Sequence, residues 1–286
     1  MKVSDFTRMM REELTPRYGY DEARAIIGLI YRSLKGWDAI DLIMHETDEV
    51  SEYIQVKARE ILDRLKKDEP IQYIVGEAYF YGMDLKVDRS VLIPRPETAE
   101  MVDMIVDKWK DCKDLRVLDI GTGSGAIAIT LSRNLPFSEV TAIDISEDAL
   151  KIARENAENL KAKIDFRRED VFDFMPEAGS FDIIVSNPPY IDESEKSGME
   201  RNVLDYEPHT ALFVPDDNPL IFYSRISTIA SEALTPGGGL YFEINPRHCE
   251  ELKGLLRKDG FEDVEAVKDV HGKERFVIAR KKSEEL

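Results

Sequence analysis

The chain has 286 residues, of which 43% are hydrophobic and 34% are charged, so it can bury a sizeable core and form two domains. Its 57 acidic and 39 basic residues give a net charge of −18, which argues against a large duplex-binding surface, because such surfaces neutralise phosphates with Lys and Arg. The two cysteines, Cys112 and Cys249, lie far apart in the sequence and indicate neither a disulfide scaffold nor a zinc site.

The N-terminal residues lack an apolar segment of signal-peptide length, and no apolar run reaches the roughly 18 residues of a membrane span. We therefore expect a cytoplasmic protein. The adjacent His248 and Cys249 suggest a metal ligand pair or a nucleophile, but the four histidines of the chain form no spaced cluster of ligands. No metal site is predicted.

The first part of the chain is predicted to be helical. Apolar residues at helical spacing indicate helices over residues 3–14, after an N-cap at Asp21, over residues 37–44 and over residues 51–65, and Pro70 marks a break. The fourth helix is expected to bury Ile54, Ala58, Ile61, Leu62 and Leu65. This part contains no catalytic constellation, so its predicted role is either a scaffold or the recognition of a macromolecule.

A β-hairpin is predicted over residues 79–87, with its turn at Gly82. It leads into the loop Ile93-Pro94-Arg95-Pro96-Glu97-Thr98, which alternate prolines stiffen on both sides of Arg95. Arg95 could meet a carboxylate or line the mouth of a ligand site; equally, it could form a surface ion pair with Glu97 that caps the following helix. The sequence leaves these alternatives open.

The next strand, residues 116–120, runs into a glycine turn and then a helix; the turn is Gly121, Thr122, Gly123, Ser124 and Gly125. Glycines let the backbone approach a ligand, and the helix N-terminus offers free N–H groups. About twenty residues later a strand ends at Asp144, whose carboxylate can accept hydrogen bonds from both ribose hydroxyls. This order predicts a nucleoside site, although the turn with Ala126 also satisfies a dinucleotide fingerprint of NAD enzymes.

Strands and helices alternate through the rest of the chain and predict an α/β sheet that ends in a hairpin. After the third strand, residues 164–168, Asp170 could bind an adenine amino group and Val171 could cover the face of the ring. A long polar stretch over residues 192–217 is predicted to form a movable lid or a substrate ledge. A helix over residues 220–234 is expected to end at glycines before a strand over residues 240–244.

The fourth strand, residues 181–186, leads into Asn187, Pro188, Pro189 and Tyr190. The prolines fix φ and remove two backbone donors, so Asn187 and Pro188 present a rigid pair of carbonyl acceptors to a substrate –NH2, and Tyr190 can lie against the planar group that carries it. A hydride-transfer enzyme has no use for such a pair, whereas a methyltransferase that modifies a planar nitrogen needs one. A proline-stiffened turn with a core tyrosine is the alternative.

Together these segments resemble the protein-(glutamine-N5) methyltransferases of bacterial class I peptide-chain release factors, the HemK or PrmC family. The resemblance covers nearly everything from Pro70 onward, and it is carried by the loop at residues 93–98, residues 118–128, residues 186–191 and Asp205-Tyr206-Glu207-Pro208 followed by Ala211-Leu212-Phe213. The Asn-Pro-Pro-Tyr sequence is shared with enzymes that methylate amino groups of DNA and RNA. Its combination with Ile-Pro-Arg-Pro-Glu-Thr is specific.

The resemblance implies an α/β class I S-adenosylmethionine-dependent methyltransferase with a Rossmann-like seven-stranded sheet. It implies an N-terminal helical domain that recognises the substrate (residues 1–74), a β-hairpin linker (75–93) and a methyltransferase domain (94–286). The reaction would move a methyl group from S-adenosyl-L-methionine to the glutamine of the Gly-Gly-Gln motif of a release factor, which supports translation termination. The product would be S-adenosyl-L-homocysteine.

The resemblance also implies roles for the site residues. Those expected to bind the cofactor are Gly121, Thr122, Gly123, Ser124, Gly125, Asp144, Asp170, Val171 and Asn187. Those expected to bind the glutamine are Asn187, Pro188, Pro189 and Tyr190, and of these Asn187, Pro188 and Tyr190 are expected to be catalytic. A monomer without a membrane or a stable nucleic-acid partner is expected.

Two local departures from the family pattern leave the lid geometry open. Asn245 stands where the family usually has Gly, and Asp217-Asn218-Pro219-Leu220 stands near a usual Gly-rich Asp-Gly-Leu. Three other functions are weighed against the favoured one: a nucleic-acid amino-methyltransferase, an NAD-linked oxidoreductase and a non-catalytic adaptor that uses the helical part.

Overall fold

The computed structural model describes residues 1–283, which form two compact units. The first contains Met1–Gly76 together with Arg201–Tyr206, and the second contains Glu77–Glu200 and the described residues from Glu207 onward. The three-part division at residues 74 and 93 stays a prediction. Among the described residues, no helix combines the length and the apolar character needed to cross a membrane.

The first unit begins with five helices: α1 (Val3–Tyr18), α2 (Tyr20–Lys35), α3 (Ala39–Met44), α4 (Glu52–Leu65) and α5 (Ile71–Val75). The predicted apolar face of α4 is confirmed, since all five of its expected core residues are buried. The Ser51 hydroxyl accepts a hydrogen bond from the Ile54 N–H and so caps α4. The prediction that Asp21 caps α2 is wrong: the helix begins at Tyr20 after Gly19, and Asp21 lies in its first turn.

The second unit begins with the predicted hairpin, formed by β1 (Glu77–Phe80) and β2 (Met83–Lys86). The helices that follow in the chain are α6 (Pro96–Trp109), α7 (Ala126–Asn134), α8 (Glu147–Asn159), α9 (Arg201–Leu204), α10 (Ile221–Ala233) and α11 (Cys249–Lys258), of which α9 clusters with the first unit. The remaining strands are β3 (Arg116–Ile120), β4 (Glu139–Asp144), β5 (Ile164–Arg168), β6 (Phe181–Ser186), β7 (Ile191–Asp192), β8 (Phe213–Val214), β9 (Leu234–Glu243), β10 (Phe261–Lys268) and β11 (Glu274–Lys281).

Seven strands form the central sheet, in the order β10-β11-β9-β6-β3-β4-β5, which confirms the predicted Rossmann-like fold. Strands β9, β6, β3, β4 and β5 are parallel to one another, and β11 and β10 add an antiparallel hairpin at one edge, next to β9. The chain moves from β3 through β4 to β5 on one side and then returns to β6 on the other side of β3. Ligands collect beyond the carboxyl ends of the strands at such a switch point.

The register of β3 and β6 places Ile120 opposite Ser186, the last residue of each strand. The Ser186 hydroxyl is fully buried and donates a hydrogen bond to the Ile120 carbonyl at 2.7 Å. Because each strand ends at this point, the segments that begin at Gly121 and Asn187 leave the sheet side by side.

Strand β9 begins at Leu234, six residues before the predicted start, and includes the glycines that were expected to form a loop. A Cβ at Gly238 would lie 3.0 Å from the Asp182 carbonyl oxygen of β6, and one at Gly239 would lie 2.7 Å from the Tyr241 ring. The glycines are therefore needed for close packing within the sheet, where the sequence suggested a turn.

The stretch predicted as a lid contains short elements. A 3₁₀ helix spans Glu193–Gly198, a second spans His209–Ala211, and β8 pairs in parallel with β7. Its movement stays a prediction.

Asn156 on α8 is fully buried and joins the hairpin to the glycine turn through main-chain atoms. Its Oδ1 accepts a hydrogen bond from the Lys86 N–H at 2.7 Å, and its Nδ2 donates to the carbonyls of Lys86 and Ser124, both at 2.9 Å. Removal of a side chain that pairs buried polar groups costs about 1–3 kcal/mol for each group left unpaired.

We predict that Asn156→Ala lowers the free energy of unfolding by about 2–4 kcal/mol, because it leaves main-chain groups at residues 86 and 124 without their partner. Urea denaturation followed by circular dichroism measures this change. Asn159→Ala, at an exposed position of the same helix, is the matched control and should stay within about 0.5 kcal/mol of the parent. Equal effects of the two substitutions would contradict the structural role of Asn156.

Candidate active site

A cavity of about 450 Å³ lies at the carboxyl ends of β3, β4, β5 and β6. This volume is within the range of small-molecule sites. The predicted site residues that line it are Gly121, Thr122, Gly123, Ser124, Asp144, Asp170, Val171, Asn187, Pro188 and Pro189. A larger depression of about 630 Å³, near Arg116 and Met175, contains none of the predicted site residues.

The glycines of the turn have two different roles. Gly121 and Gly123 have φ values of +76° and +54°, and a Cβ built on either would meet no atom within 4 Å, so the backbone faces open space. Gly125 has φ +82°, but a Cβ there would lie 3.2 Å from the Ala153 Cβ. Gly125 does not line the cavity; it lets α7 pack closely on α8, in contrast to the cofactor contact expected from the sequence.

The Asp144 carboxylate lies at the end of β4 and organises the turn. Its Oδ2 accepts a hydrogen bond from the Gly123 N–H and its Oδ1 accepts one from the Ser146 N–H, both at 2.9 Å. Burial raises the pKa of Asp144, and these backbone donors oppose the rise. A carboxylate offers about four acceptor positions, so about two remain for a ligand.

Asp119 is a buried carboxyl group that the sequence analysis did not single out. Its Oδ2 accepts a hydrogen bond from the Thr122 hydroxyl at 2.7 Å, whereas its Oδ1 has no hydrogen-bond partner within residues 1–283. Burial raises the pKa of Asp119 to about 7. An acidic residue between the apolar residues Leu118 and Ile120, two positions before the glycine turn, was the available signal.

Asp170 and Val171 line the cavity beyond β5, as their predicted positions require. The Asp170 Oδ1 accepts a hydrogen bond from the Phe172 N–H at 2.9 Å, which shapes the turn. Phe172 and Phe222 also line the cavity, with ring centroids 5.4 Å apart, and the sequence analysis missed both. The contact joins residues fifty positions apart, which no local pattern indicates.

Tyr190 stands apart from the three residues that precede it. Asn187, Pro188 and Pro189 line the cavity, but Tyr190 does not. Its hydroxyl donates a hydrogen bond to the Glu243 Oε1 at 2.9 Å, its ring packs against the apolar core, and burial raises its pKa well above the usual value. The predicted contact of Tyr190 with the substrate therefore stays a prediction.

The Asn187 side-chain amide is held by the buried Thr98 hydroxyl. Its Nδ2 donates to the Thr98 hydroxyl oxygen at 3.3 Å, and Thr98 donates to the Glu243 Oε2 at 2.6 Å. Glu243 is 1% exposed. Burial raises its pKa, while the hydrogen bonds from Thr98 and Tyr190 and the positive charge of Arg275 oppose the rise.

Arg95 lines the cavity and also contacts a carboxylate. Two of the roles that the sequence left open for Arg95 are therefore both observed. Its Nη2 donates to the Glu207 Oε1 at 2.5 Å, and the Ile93 N–H donates to Oε2 at 3.3 Å. The Glu207 side chain is 1% exposed. The stiff loop around Arg95 is therefore attached to Glu207.

Asn245, the departure from the family pattern, makes contacts that a glycine could not. Its Nδ2 donates to the Tyr190 carbonyl at 3.1 Å and to the Glu195 Oε1 at 2.8 Å. The second departure lies in the turn before α10, where the Ile221 N–H donates to the Asn218 carbonyl at 3.2 Å. The asparagine thus attaches the first 3₁₀ helix of the predicted lid to the segment that follows Pro189.

The adjacent His248 and Cys249 have separate surroundings. The His248 Nε2 lies 3.0 Å from the Asp192 carboxylate. Cys249 is buried, and its burial raises its pKa to about 11. A thiol with a raised pKa is a poor nucleophile.

Comparison with known proteins identifies related sequences over nearly the whole chain. A family profile described as "Methyltransferase domain" matches residues 111–279, and one described as "PrmC N-terminal domain" matches residues 7–76. The release factor glutamine methyltransferase of Bacteroides thetaiotaomicron is 49% identical over 280 residues, which cover 98% of this chain and 100% of that protein. The protein of the same description from Streptococcus pneumoniae is 43% identical over 280 residues, or 97% of this chain and 98% of the relative.

A solved structure of a methyltransferase from Pyrococcus furiosus is similar in fold. It has a TM-score of 0.53 and 21% sequence identity, and the match covers 79% of this chain and 99% of that one. At this identity the likeness supports the fold alone.

We predict that Asp119 makes the stability of the ligand-free protein depend on pH. Its pKa is about 7 in the folded state and 3.8 in a model peptide, so the unfolded chain releases its proton first as the pH rises. The free energy of unfolding should therefore fall between about pH 4 and pH 7, by at most about 4 kcal/mol from this group. Asp119→Asn should remove this fall. Urea denaturation at pH 4.5 and pH 7.5 measures the free energy of unfolding of the parent and the variant. If the parent and the variant differ by the same amount at both pH values, the prediction is contradicted.

Proposed function

Because the chain belongs to the release factor glutamine methyltransferase family, we propose that it transfers a methyl group from S-adenosyl-L-methionine to a glutamine side chain. The acceptor is the amide nitrogen, N5, of the glutamine in the Gly-Gly-Gln motif of class I peptide-chain release factors. The observation that carries this proposal is that residues of the glycine turn and of the Asn187-Pro188-Pro189 segment line the same cavity. A nucleoside site and an amide site are needed together for this reaction.

The residues of the cavity fit the cofactor. Open space in front of Gly121 and Gly123 admits a ligand against the backbone, and Asp144 retains acceptor positions for two ribose hydroxyls. Asp170 and Val171 are proposed to bind the adenine. When bound, S-adenosyl-L-methionine supplies an electrophilic methyl group on a positively charged sulfur.

The proposed task of Asn187 and Pro188 is to expose the lone pair of the substrate nitrogen. In a free carboxamide this lone pair is delocalised into the carbonyl group, which makes the nitrogen a poor nucleophile. The Asn187 side-chain oxygen and the Pro188 carbonyl are proposed to accept the two N–H hydrogens and to hold the nitrogen toward the methyl donor. Positioned hydrogen-bonding groups of this kind contribute about 10²–10³ in rate.

No strong general base is required for the proposed reaction. Formation of the nitrogen–methyl bond would break the sulfur–methyl bond and leave S-adenosyl-L-homocysteine. The substrate nitrogen would then be cationic, and its acidic proton would pass to water. Carbonyl dipoles at Asn187 and Pro188 stabilise the developing positive charge.

The partner proposed for the protein is a class I release factor, and the first, helical unit is proposed to recognise it. A monomer in the cytoplasm without a stable nucleic-acid partner stays a prediction from the sequence. Tritium transfer from labelled cofactor to release factor, RNA and DNA in parallel reactions distinguishes the proposed substrate from a nucleic acid.

We predict that Asn187→Ala lowers the turnover of release factor at least about 100-fold while the protein remains folded, because one of the two acceptors is lost. Mass spectrometry of the Gly-Gly-Gln peptide measures the added methyl group, and circular dichroism reports folding. Asn159→Ala is the control at an exposed position. Methylation by a folded Asn187→Ala protein at the parental rate would refute the proposed mechanism.

A second prediction concerns the cofactor. Asp144→Asn should weaken S-adenosyl-L-methionine binding by about 1–3 kcal/mol, because hydrogen bonds from the ribose to a charged acceptor are lost. Isothermal titration calorimetry measures the affinity, with the exposed Asp148→Asn as the control. If Asp144→Asn binds the cofactor as tightly as the parent, Asp144 does not belong to the site.

A further inference from the structure

Glu243, the last residue of β9, is connected to both ends of the segment 187–190, directly to Tyr190 and by way of Thr98 to Asn187. One carboxylate oxygen accepts from the Tyr190 hydroxyl at 2.9 Å, and the other accepts from the Thr98 hydroxyl at 2.6 Å. Thr98 is 4% exposed and lies in the first turn of α6. Its oxygen is 3.3 Å from the Asn187 Nδ2.

The hydrogen bonds that link Glu243, Thr98 and Asn187 have a fixed direction. An ionised carboxylate can only accept hydrogen bonds, so the single hydroxyl hydrogen of Thr98 is directed to Glu243. The Thr98 oxygen can then only accept from Asn187. The group of Asn187 that satisfies this requirement is the –NH2, because the side-chain oxygen has no hydrogen to donate.

This order decides which end of the Asn187 amide is presented to the cavity. The two ends of a carboxamide are nearly equal in size, so packing alone does not select between them. With the –NH2 on Thr98, the oxygen is left to accept from the substrate amide. The reversed orientation would present a donor to the hydrogens of the substrate.

We infer that Glu243 and Thr98 are positioning residues that set the orientation of the Asn187 amide for methyl transfer. The inference rests on the proposed function of Asn187, and it adds two residues that act through that side chain. It also gives the Tyr190 hydroxyl a role, because it donates to the remaining oxygen of the Glu243 carboxylate.

Substitution at residue 98 tests the inference. Thr98→Val keeps the shape of the side chain but removes the hydroxyl, and it should lower kcat for release factor about 10- to 100-fold. The Kd for S-adenosyl-L-methionine should stay within about threefold of the parent, because Asp144, Asp170 and Val171, which are proposed to bind its ribose and adenine, are unchanged. Thr98→Ser retains the hydroxyl and should keep kcat within about threefold.

Tyr223→Phe is the matched control, because the Tyr223 hydroxyl also makes a buried hydrogen bond to Glu243, but to its backbone carbonyl, at 2.9 Å. This substitution removes a buried hydroxyl next to the same residue without touching Thr98 or Asn187. It should keep kcat within about threefold of the parent. A parental kcat for Thr98→Val, or an equal loss in Thr98→Ser or Tyr223→Phe, would overturn the inference.

A measurement on the parental chain keeps the inference testable if Thr98→Val does not fold. In a ¹⁵N spectrum of the full-length protein, one side-chain amide proton of Asn187 should exchange with solvent at least about tenfold more slowly than those of the exposed Asn159. Equally fast exchange of both residues would overturn the inference. This measurement does not involve turnover, whereas failure of the parental protein to methylate release factor would refute the proposed function itself.

Discussion

The parallel pairing of β3 with β6 is the constraint on which the site depends. The two strands are far apart in the chain, yet their last residues, Ile120 and Ser186, are register partners, and a buried hydroxyl-to-carbonyl hydrogen bond joins them. Two segments with separate chemistry therefore begin at adjacent points of one sheet edge. A register slip of one residue would turn Ser186 to the opposite face and would displace Asn187 relative to the glycine turn.

Around this edge, the polar groups of the cavity are held by buried partners. Asp144 holds the turn by its backbone N–H groups, Glu207 holds Arg95, and Glu243 holds Thr98 and Tyr190. Carboxylates in such positions are costly to bury, and their hydrogen bonds offset part of that cost. Groups supported in this way keep their geometry before any ligand arrives, which is what a reaction limited by the alignment of its atoms requires.

Local patterns in the sequence were sufficient for the hairpin and the buried face of α4, because these depend on residues that are close in the chain, whereas the seven-stranded sheet was implied by the family resemblance. They also indicated ten of the residues that line the cavity. They did not distinguish Gly125, which packs on Ala153, from Gly121 and Gly123, which face open space. The positions of Tyr190 and Glu243 depend on a contact across more than fifty residues, and periodicity carries no information about such a contact.

Asn156 shows how a single side chain can relax the demands on other parts of a protein. The Asn156 side chain bonds to the hairpin and to the glycine turn through their main-chain atoms alone. Every amino acid other than proline supplies these atoms in the same form. The side chains at residues 86 and 124 are therefore free to change over evolutionary time without loss of this attachment. Substitutions at residues 86 and 124 are thus tolerated because residue 156, on a third segment, is an asparagine.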